Sequence, residues 1–251
     1  MTTTATAHLQ PEGRRHLLGV LTPSSNTVLE PATSAILGHV PGASAHFARF
    51  RVTQIGLGER ARAQFDMAPM LAAAHLLADA RVGVIGWSGT AASWLGFDRD
   101  EALCEAITAS TGIRACTSVL ALNELLARHP GRRFALVSPY TGDVQREIVA
   151  NFNRAGYHVV AEAHLGISDN FAFSEVGEDE ILDLCRRVAG ARPEAIVIMC
   201  TNMRGAGLAD RVERELGIPL YDSTSAVVWK ALRLLGVDAA GVTGWGSLFA
   251  A

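Results

Sequence analysis

The sequence predicts an α/β fold of two pseudo-symmetric, Rossmann-like lobes, each built on a parallel sheet, with a cleft between them. Three pairs of segments, recurring in the same order in both halves, carry this prediction. Leu17-Leu18-Gly19-Val20-Leu21-Thr22-Pro23-Ser24-Ser25-Asn26 matches Phe134-Ala135-Leu136-Val137-Ser138-Pro139-Tyr140-Thr141-Gly142: each is an apolar run that stops at proline and opens into small polar residues. Val84-Ile85-Gly86-Trp87-Ser88-Gly89-Thr90 matches Ile196-Val197-Ile198-Met199-Cys200-Thr201-Asn202, and Gly112-Ile113-Arg114-Ala115-Cys116-Thr117-Ser118 matches Gly217-Ile218-Pro219-Leu220-Tyr221-Asp222-Ser223. Functional sites in such folds gather at the carboxyl ends of parallel strands.

The elements follow in order. A first strand over 16–22 ends at Pro23, and a second spans 45–53. The apolar residues of 69–80 recur at three and four, so this stretch is helical and leads into a strand over 82–87. Asp98 followed by Glu101 marks a helix start, with helical spacing over 102–110 and a strand over 113–116. Ser118 precedes the next helix, and His129-Pro130-Gly131 ends it and marks the crossing between lobes. Strands over 133–138 and 157–165, a helix over 180–189, and strands over 195–199 and 218–221 complete the second half. The last helix, 227–235, has no further strand to pack on there, so the chain returns to the first lobe. Residues 14–130 plus 224–251 are thus expected to form lobe one and 131–223 lobe two. The Thr- and Ala-rich segment 1–13 is expected to be a disordered lead-in.

Length and composition suit a compact soluble protein: 251 residues, 49% hydrophobic and 19% charged. A net charge of −3 with no basic stripe leaves no footprint for nucleic acid. Apolar runs are strand-length, too short for a membrane span. No signal-peptide core is visible, so the cytoplasm is expected. Four cysteines without CxxC spacing indicate neither a zinc knuckle nor a disulfide framework. Nothing fixes the oligomeric state, and a homo-oligomer stays open. There is no GxGxxG after a strand, no P-loop and no HExxH, so neither a nucleotide cofactor nor a metal is expected. Gly86-Trp87-Ser88-Gly89-Thr90 misses the GxSxG serine-hydrolase elbow at its last position, and the final histidine, His164, comes too early to complete that triad.

The chemistry concentrates at the paired loops. Cys200 follows five apolar residues and precedes polar Thr201 and Asn202, a position expected at a helix start. Free backbone N–H groups and the helix dipole there would favour a thiolate. Cys104 and Cys185 lie within apolar helical patterns and read as core. Ser88-Gly89-Thr90 occupies the equivalent loop of lobe one, where glycine permits close approach and the Thr90 hydroxyl can donate to a carboxylate; helix capping is the plainer alternative. Tyr140 offers a phenol, or a core ring. Ser24, Ser25 and Asn26 offer three hydrogen-bonding groups at another loop, and Asn170 is one more ligand candidate. Cys116-Thr117-Ser118 and Ser223-Thr224-Ser225 read mostly as caps.

Pro23-Ser24-Ser25-Asn26-Thr27, Gly89-Thr90, Pro139-Tyr140, Asp169-Asn170 and the Cys200 loop, in this order, resemble the aspartate/glutamate racemase superfamily. The resemblance spans about Leu17 to Leu235 and points to the branch of maleate cis-trans isomerases and arylmalonate decarboxylases. It implies an interlobe active site without cofactor or metal, and a small carboxylate as substrate. Racemases and isomerases of this kind place one cysteine on each lobe wall; the decarboxylase branch manages with the second-lobe cysteine alone. Here that cysteine falls on Cys200, and the facing position falls on Ser88 or Gly89. An unassisted serine is too weak an acid for two-sided proton exchange, which turns the expectation towards single-cysteine decarboxylation. The Pro23 to Asn26 motif and Asn170 resemble the isomerase branch instead. The expected catalytic pair is Cys200 with Ser88. The expected substrate-binding set is Asn26, Ser24, Gly89, Thr90, Tyr140, Asn170, Thr201 and Asn202. A carboxylate-binding protein without turnover is the alternative from another class. Cys116, at a lobe-one strand end, is a further cysteine with a route to the cleft.

Overall fold

The computed structural model describes residues 15–250; the lead-in expected over 1–13 lies outside them. Eight strands are present among these residues: β1 His16–Pro23, β2 Ala43–Phe50, β3 Val84–Trp87, β4 Ala115–Thr117, β5 Arg133–Ser138, β6 His158–His164, β7 Ala195–Ile198 and β8 Leu220–Asp222. The helices are α1 Leu29–Leu37, α2 Glu59–Arg62, α3 Met67–Asp79, α4 Ala92–Leu95, α5 Phe97–Thr111, α6 Ser118–Leu126, α7 Gly142–Arg154, α8 Glu178–Ala189, α9 Ala209–Leu216 and α10 Ser223–Leu235.

The strands form two four-stranded sheets ordered β2-β1-β3-β4 and β6-β5-β7-β8, with every pairing parallel. The two orders are one topology used twice, so the three repeated segments end the three matching strands: β1 with β5, β3 with β7, β4 with β8. Central strands β3, β5 and β7 are almost entirely buried, as parallel strands covered on both faces must be. Two helix groups cover the first sheet, α3 with α5, and α1 and α6 with α10, while α7, α8 and α9 pack on the second. Helix α10 follows the last strand of the second sheet yet packs against α6, α1 and β3. Asp222 starts it by accepting from Thr224 N–H (2.8 Å) and Ser225 N–H (3.2 Å).

Two local expectations shift. Helix α5 starts at Phe97, with Asp98 already inside its first turn, and Thr117 rather than Ser118 caps α6 by accepting from Leu120 N–H (3.1 Å). Strand β2 stops at Phe50, short of the expected 53, because the next residues leave the sheet for the other lobe. There Ile55 N–H donates to Ser168 O (2.9 Å), Asn170 N–H donates to Thr53 O (3.0 Å), and Gln54 forms an antiparallel bridge with Asp169. This strap crosses from lobe to lobe and closes one side of the cleft.

Candidate active site

The ends of β1, β3, β5 and β7 and the strap border a pocket lined by residues from both lobes. Six of the expected residues meet around it: Gly89, Thr90, Tyr140, Asn170, Cys200 and Thr201. The rest of its wall is apolar, with Val52, Ile55, Phe65, Trp87 and Trp94 the large members. No charged side chain lines it. Ser24, Asn26, Ser88 and Asn202 are not part of the lining.

Those four serve the frame instead. The Asn26 side-chain Oδ1 accepts from Val28 and Leu29 N–H (2.9 Å each), which caps the approach to α1, and its Nδ2 donates to Thr201 Oγ1 across the cleft (3.2 Å). Thr201 Oγ1 in turn donates to the Ser88 carbonyl (3.3 Å). Asn202 accepts from Thr27 N–H (3.0 Å) and donates to the Asn170 carbonyl. Ser24 exchanges hydrogen bonds with the Val52 backbone (3.1 and 3.3 Å). Ser25 donates to Val52 O and accepts from Asn170 Nδ2, both at 2.7 Å. These contacts lock the lobes around Cys200. The Ser88 hydroxyl is fully buried without a partner and stands behind the wall that Gly89 presents.

Gly89 has a steric cause. A Cβ there would lie 2.0 Å from Cζ2 of Trp87, so the indole occupies the space that any side chain at 89 would need. The lining that Cys200 shares therefore includes glycine backbone beside a tryptophan ring.

Cys200 is only 2% exposed. The expected helix start is corrected here: residues 201–205 form turns, and α9 begins only at Ala209. Gly205 sits close on the core within this stretch, where a Cβ would fall 2.5 Å from Ile198 Cδ1. In place of a helix dipole, the turn aims Asn202 N–H at Cys200 Sγ (3.4 Å), with Met203 N–H and the Tyr140 hydroxyl as further donors. Burial nevertheless dominates. It pushes the Cys200 thiol up to about 12, and the buried Asp222 carboxyl adds to the rise. Burial thus opposes the thiolate expected from the sequence.

Tyr140 and Thr90, from opposite lobes, share a 2.6 Å hydrogen bond. Burial also holds the Tyr140 phenol well above its ordinary value, so it is a donor across the physiological range. Trp94 packs edge-on against Tyr140 at 5.2 Å, and its buried indole N–H has no protein partner. This donor is absent from the expected set; a tryptophan four residues after Thr90, in a loop otherwise of small residues, was its signal. Cys116 does not reach the cavity: its thiol turns to the Val227 carbonyl in α10 (4.0 Å). Cys185 is buried and Cys104 partly so, both on helices. Among the described residues no group of three or more His, Cys, Asp or Glu is placed to hold a metal ion. None of their helices is long and apolar enough to cross a membrane.

Comparison with known proteins agrees with this architecture. The chain is 28% identical over 236 residues to arylmalonate decarboxylase of Bordetella bronchiseptica, covering 91% of this chain and 97% of that one. It is also 28% identical over 243 residues to maleate isomerase of Nocardia farcinica, covering 92% and 94%. Among solved structures, a cysteine-to-serine variant of the Nocardia farcinica maleate cis-trans isomerase with a covalently bound succinylcysteine intermediate superposes with a TM-score of 0.86 at 26% identity, over 94% of this chain and 98% of that one. A glycine-to-cysteine variant of arylmalonate decarboxylase in a sulfate-associated form superposes at 0.77, also with 26% identity, over 94% and 100%. The family model described as arylmalonate decarboxylase matches residues 27–249, and the chain belongs to that family of enzymes.

Proposed function

We propose that the protein is a cofactor-independent cytoplasmic decarboxylase of an α-substituted malonate, with Cys200 as the only proton donor to the α-carbon. The observation that carries this is a buried Cys200 in a pocket whose lining holds the Gly89 backbone and the Trp87 ring and, among the described residues, no second cysteine. Such a site offers the α-carbon a single thiol as acid.

One substrate carboxylate would be held by the Tyr140 and Thr90 hydroxyls, the Trp94 indole N–H and the Thr201 side of the Cys200 turn. The other would face the apolar wall of Val52, Ile55, Phe65 and Trp87, where no cation balances its charge. That wall favours loss of neutral CO2. The bond from the α-carbon to this carboxylate breaks, and its electron pair passes to the α-carbon and into the retained carboxylate, giving an enediolate. Preorganised donors stabilise the developing charge as an oxyanion hole does. The Cys200 S–H bond then breaks, its proton goes to the α-carbon on one face, and the resulting thiolate recovers a proton from solvent. Gly89 supplies closeness rather than chemistry, Asn170 and Thr201 shape the floor, and Ser88, Ser24, Asn26 and Asn202 act through the frame.

Maleate isomerisation is the second reading, favoured by Asn170 in the lining and by the Nocardia farcinica relative. It asks for a nucleophilic thiolate at the start of the reaction, which burial of Cys200 opposes. The test is to incubate the enzyme with phenylmalonate, methylphenylmalonate, maleate and aspartate in deuterated buffer, followed by NMR. Decarboxylation of the malonates, with one deuterium and one enantiomer in the product, is expected. Conversion of maleate to fumarate with inert malonates would replace this proposal by the isomerase reading.

A further inference from the structure

A second pocket adjoins the first. Phe65, Trp87 and Ala91 line both, so the two spaces adjoin at these side chains. The wall of the second is mostly apolar, with Met70, Leu95 and Leu103 beyond the shared layer, and it contains two charged residues. Arg99 is exposed. Asp100, one residue later in the first turn of α5, is 3% exposed, and its Oδ2 has no hydrogen-bond partner. A buried carboxyl oxygen without a donor is an unmet demand, and here it belongs to a residue that lines a pocket next to the reaction chamber.

Resting on the decarboxylase reading, we propose that this chamber receives one α-substituent of the substrate, an aryl or alkyl group ending in a neutral hydrogen-bond donor that bonds to Asp100. The apolar walls take the ring or chain. The unpartnered oxygen takes an O–H or N–H, and the neighbouring guanidinium of Arg99 disfavours an ammonium group. Burial lifts Asp100 to about 7, with the Thr117 hydroxyl opposing the rise, so above neutral pH a donor on the ligand meets a carboxylate that only accepts.

The experiment compares kcat/KM for 4-hydroxyphenylmalonate and 4-methoxyphenylmalonate. The two are electronically similar at the reacting carbon and differ in the donor; 4-(aminomethyl)phenylmalonate is the charged control. Binding of the corresponding arylacetates is followed in parallel by tryptophan fluorescence, to which Trp87 in the shared wall contributes. In the parent enzyme the hydroxy compound should exceed the methoxy compound by about tenfold, the worth of one buried hydrogen bond, and the charged control should fall below both. Asp100→Leu should bring the hydroxy-to-methoxy ratio to about one. Ala92→Met, which fills the chamber from another wall, should penalise all three aryl compounds relative to methylmalonate and serves if Asp100→Leu does not fold. Turnover with a hydroxy-to-methoxy ratio near one in the parent, or a ratio that survives Asp100→Leu, overturns the chamber and leaves the decarboxylase reading in place. Selective binding of 4-hydroxyphenylacetate that depends on Asp100, with no malonate turned over, keeps the chamber and overturns the decarboxylase reading. Neither turnover nor selective binding overturns both.

Discussion

At position 89 the side chain is fixed by its neighbour. The Trp87 ring fills the volume a Cβ would need, so Gly89→Cys alone should yield a strained, destabilised protein and no second acid. The sequence left the position facing Cys200 open between Ser88 and Gly89. The structure separates them, because Ser88 stands outside the lining. Trp87→Ala combined with Gly89→Cys should admit a thiol opposite Cys200 and permit racemisation of the 2-arylpropionate product, followed by loss of optical rotation. Racemisation by Ser88→Cys instead would overturn this geometry. Cys200→Ala should lower decarboxylation by about a thousandfold or more, as expected for removal of an essential general acid, with an unchanged melting curve; retained activity within severalfold refutes the assignment. Much of this site was legible from polar residues at strand ends: Thr90, Tyr140, Asn170 and Cys200 do converge. Trp87 and Trp94 were not, because hydrogen-bonding capacity was the criterion and a tryptophan in a strand reads as core until its neighbour is known to be glycine. Asn26 and Asn202 carried the opposite error, since a side-chain amide serves a ligand or another loop equally well from sequence alone.

The repeats were the strongest signal at the scale of elements, and they work because each marks a backbone requirement. Gly112 and Gly217 open the third matched pair and hold equivalent positions, ending α5 and α9 in the left-handed region at φ of +72° and +67°. Neither would bring a Cβ within 4 Å of another atom, so the cost of a side chain is conformational alone. Gly112→Ala and Gly217→Ala should therefore each destabilise by about 1–2 kcal/mol with activity intact, measured by urea unfolding. A neutral or stabilising effect at either position would show that its backbone is not held where described. Strand existence was readable because apolar runs bounded by proline or glycine have few other outcomes. The end of β2 and the start of the helix after Cys200 were not. The first is decided by a long-range partner, the strap pairing with residues 168–170.

For the whole molecule, the site binds the two sheets together at the expense of buried polar groups. Two of these are carboxyls, Asp100 and Asp222, and burial raises both from 3.8 to about 7. A carboxyl with a folded pKa above its unfolded value releases its proton less readily when folded. Its favourable contribution is therefore full below the unfolded value and is lost as pH rises through the folded one. Each unit of upward shift corresponds to about 1.4 kcal/mol. Asp143, Glu194 and Glu215 are shifted the other way by hydrogen bonds, chiefly from Thr141, Arg133 and Arg186, and they lose stability on acidification. They lie at the surface, where screening makes such terms small. The balance should favour the acid side of neutrality, with unfolding free energy falling between about pH 5 and pH 8. Asp222→Asn, which keeps an acceptor for the Thr224 and Ser225 N–H groups, should flatten that slope by removing one of the two titrating carboxyls. Urea unfolding of parent and variant at both pH values decides it: a parent slope that is flat or rises with pH, or an unaltered slope in the variant, would mean that these carboxyls ionise freely inside the fold.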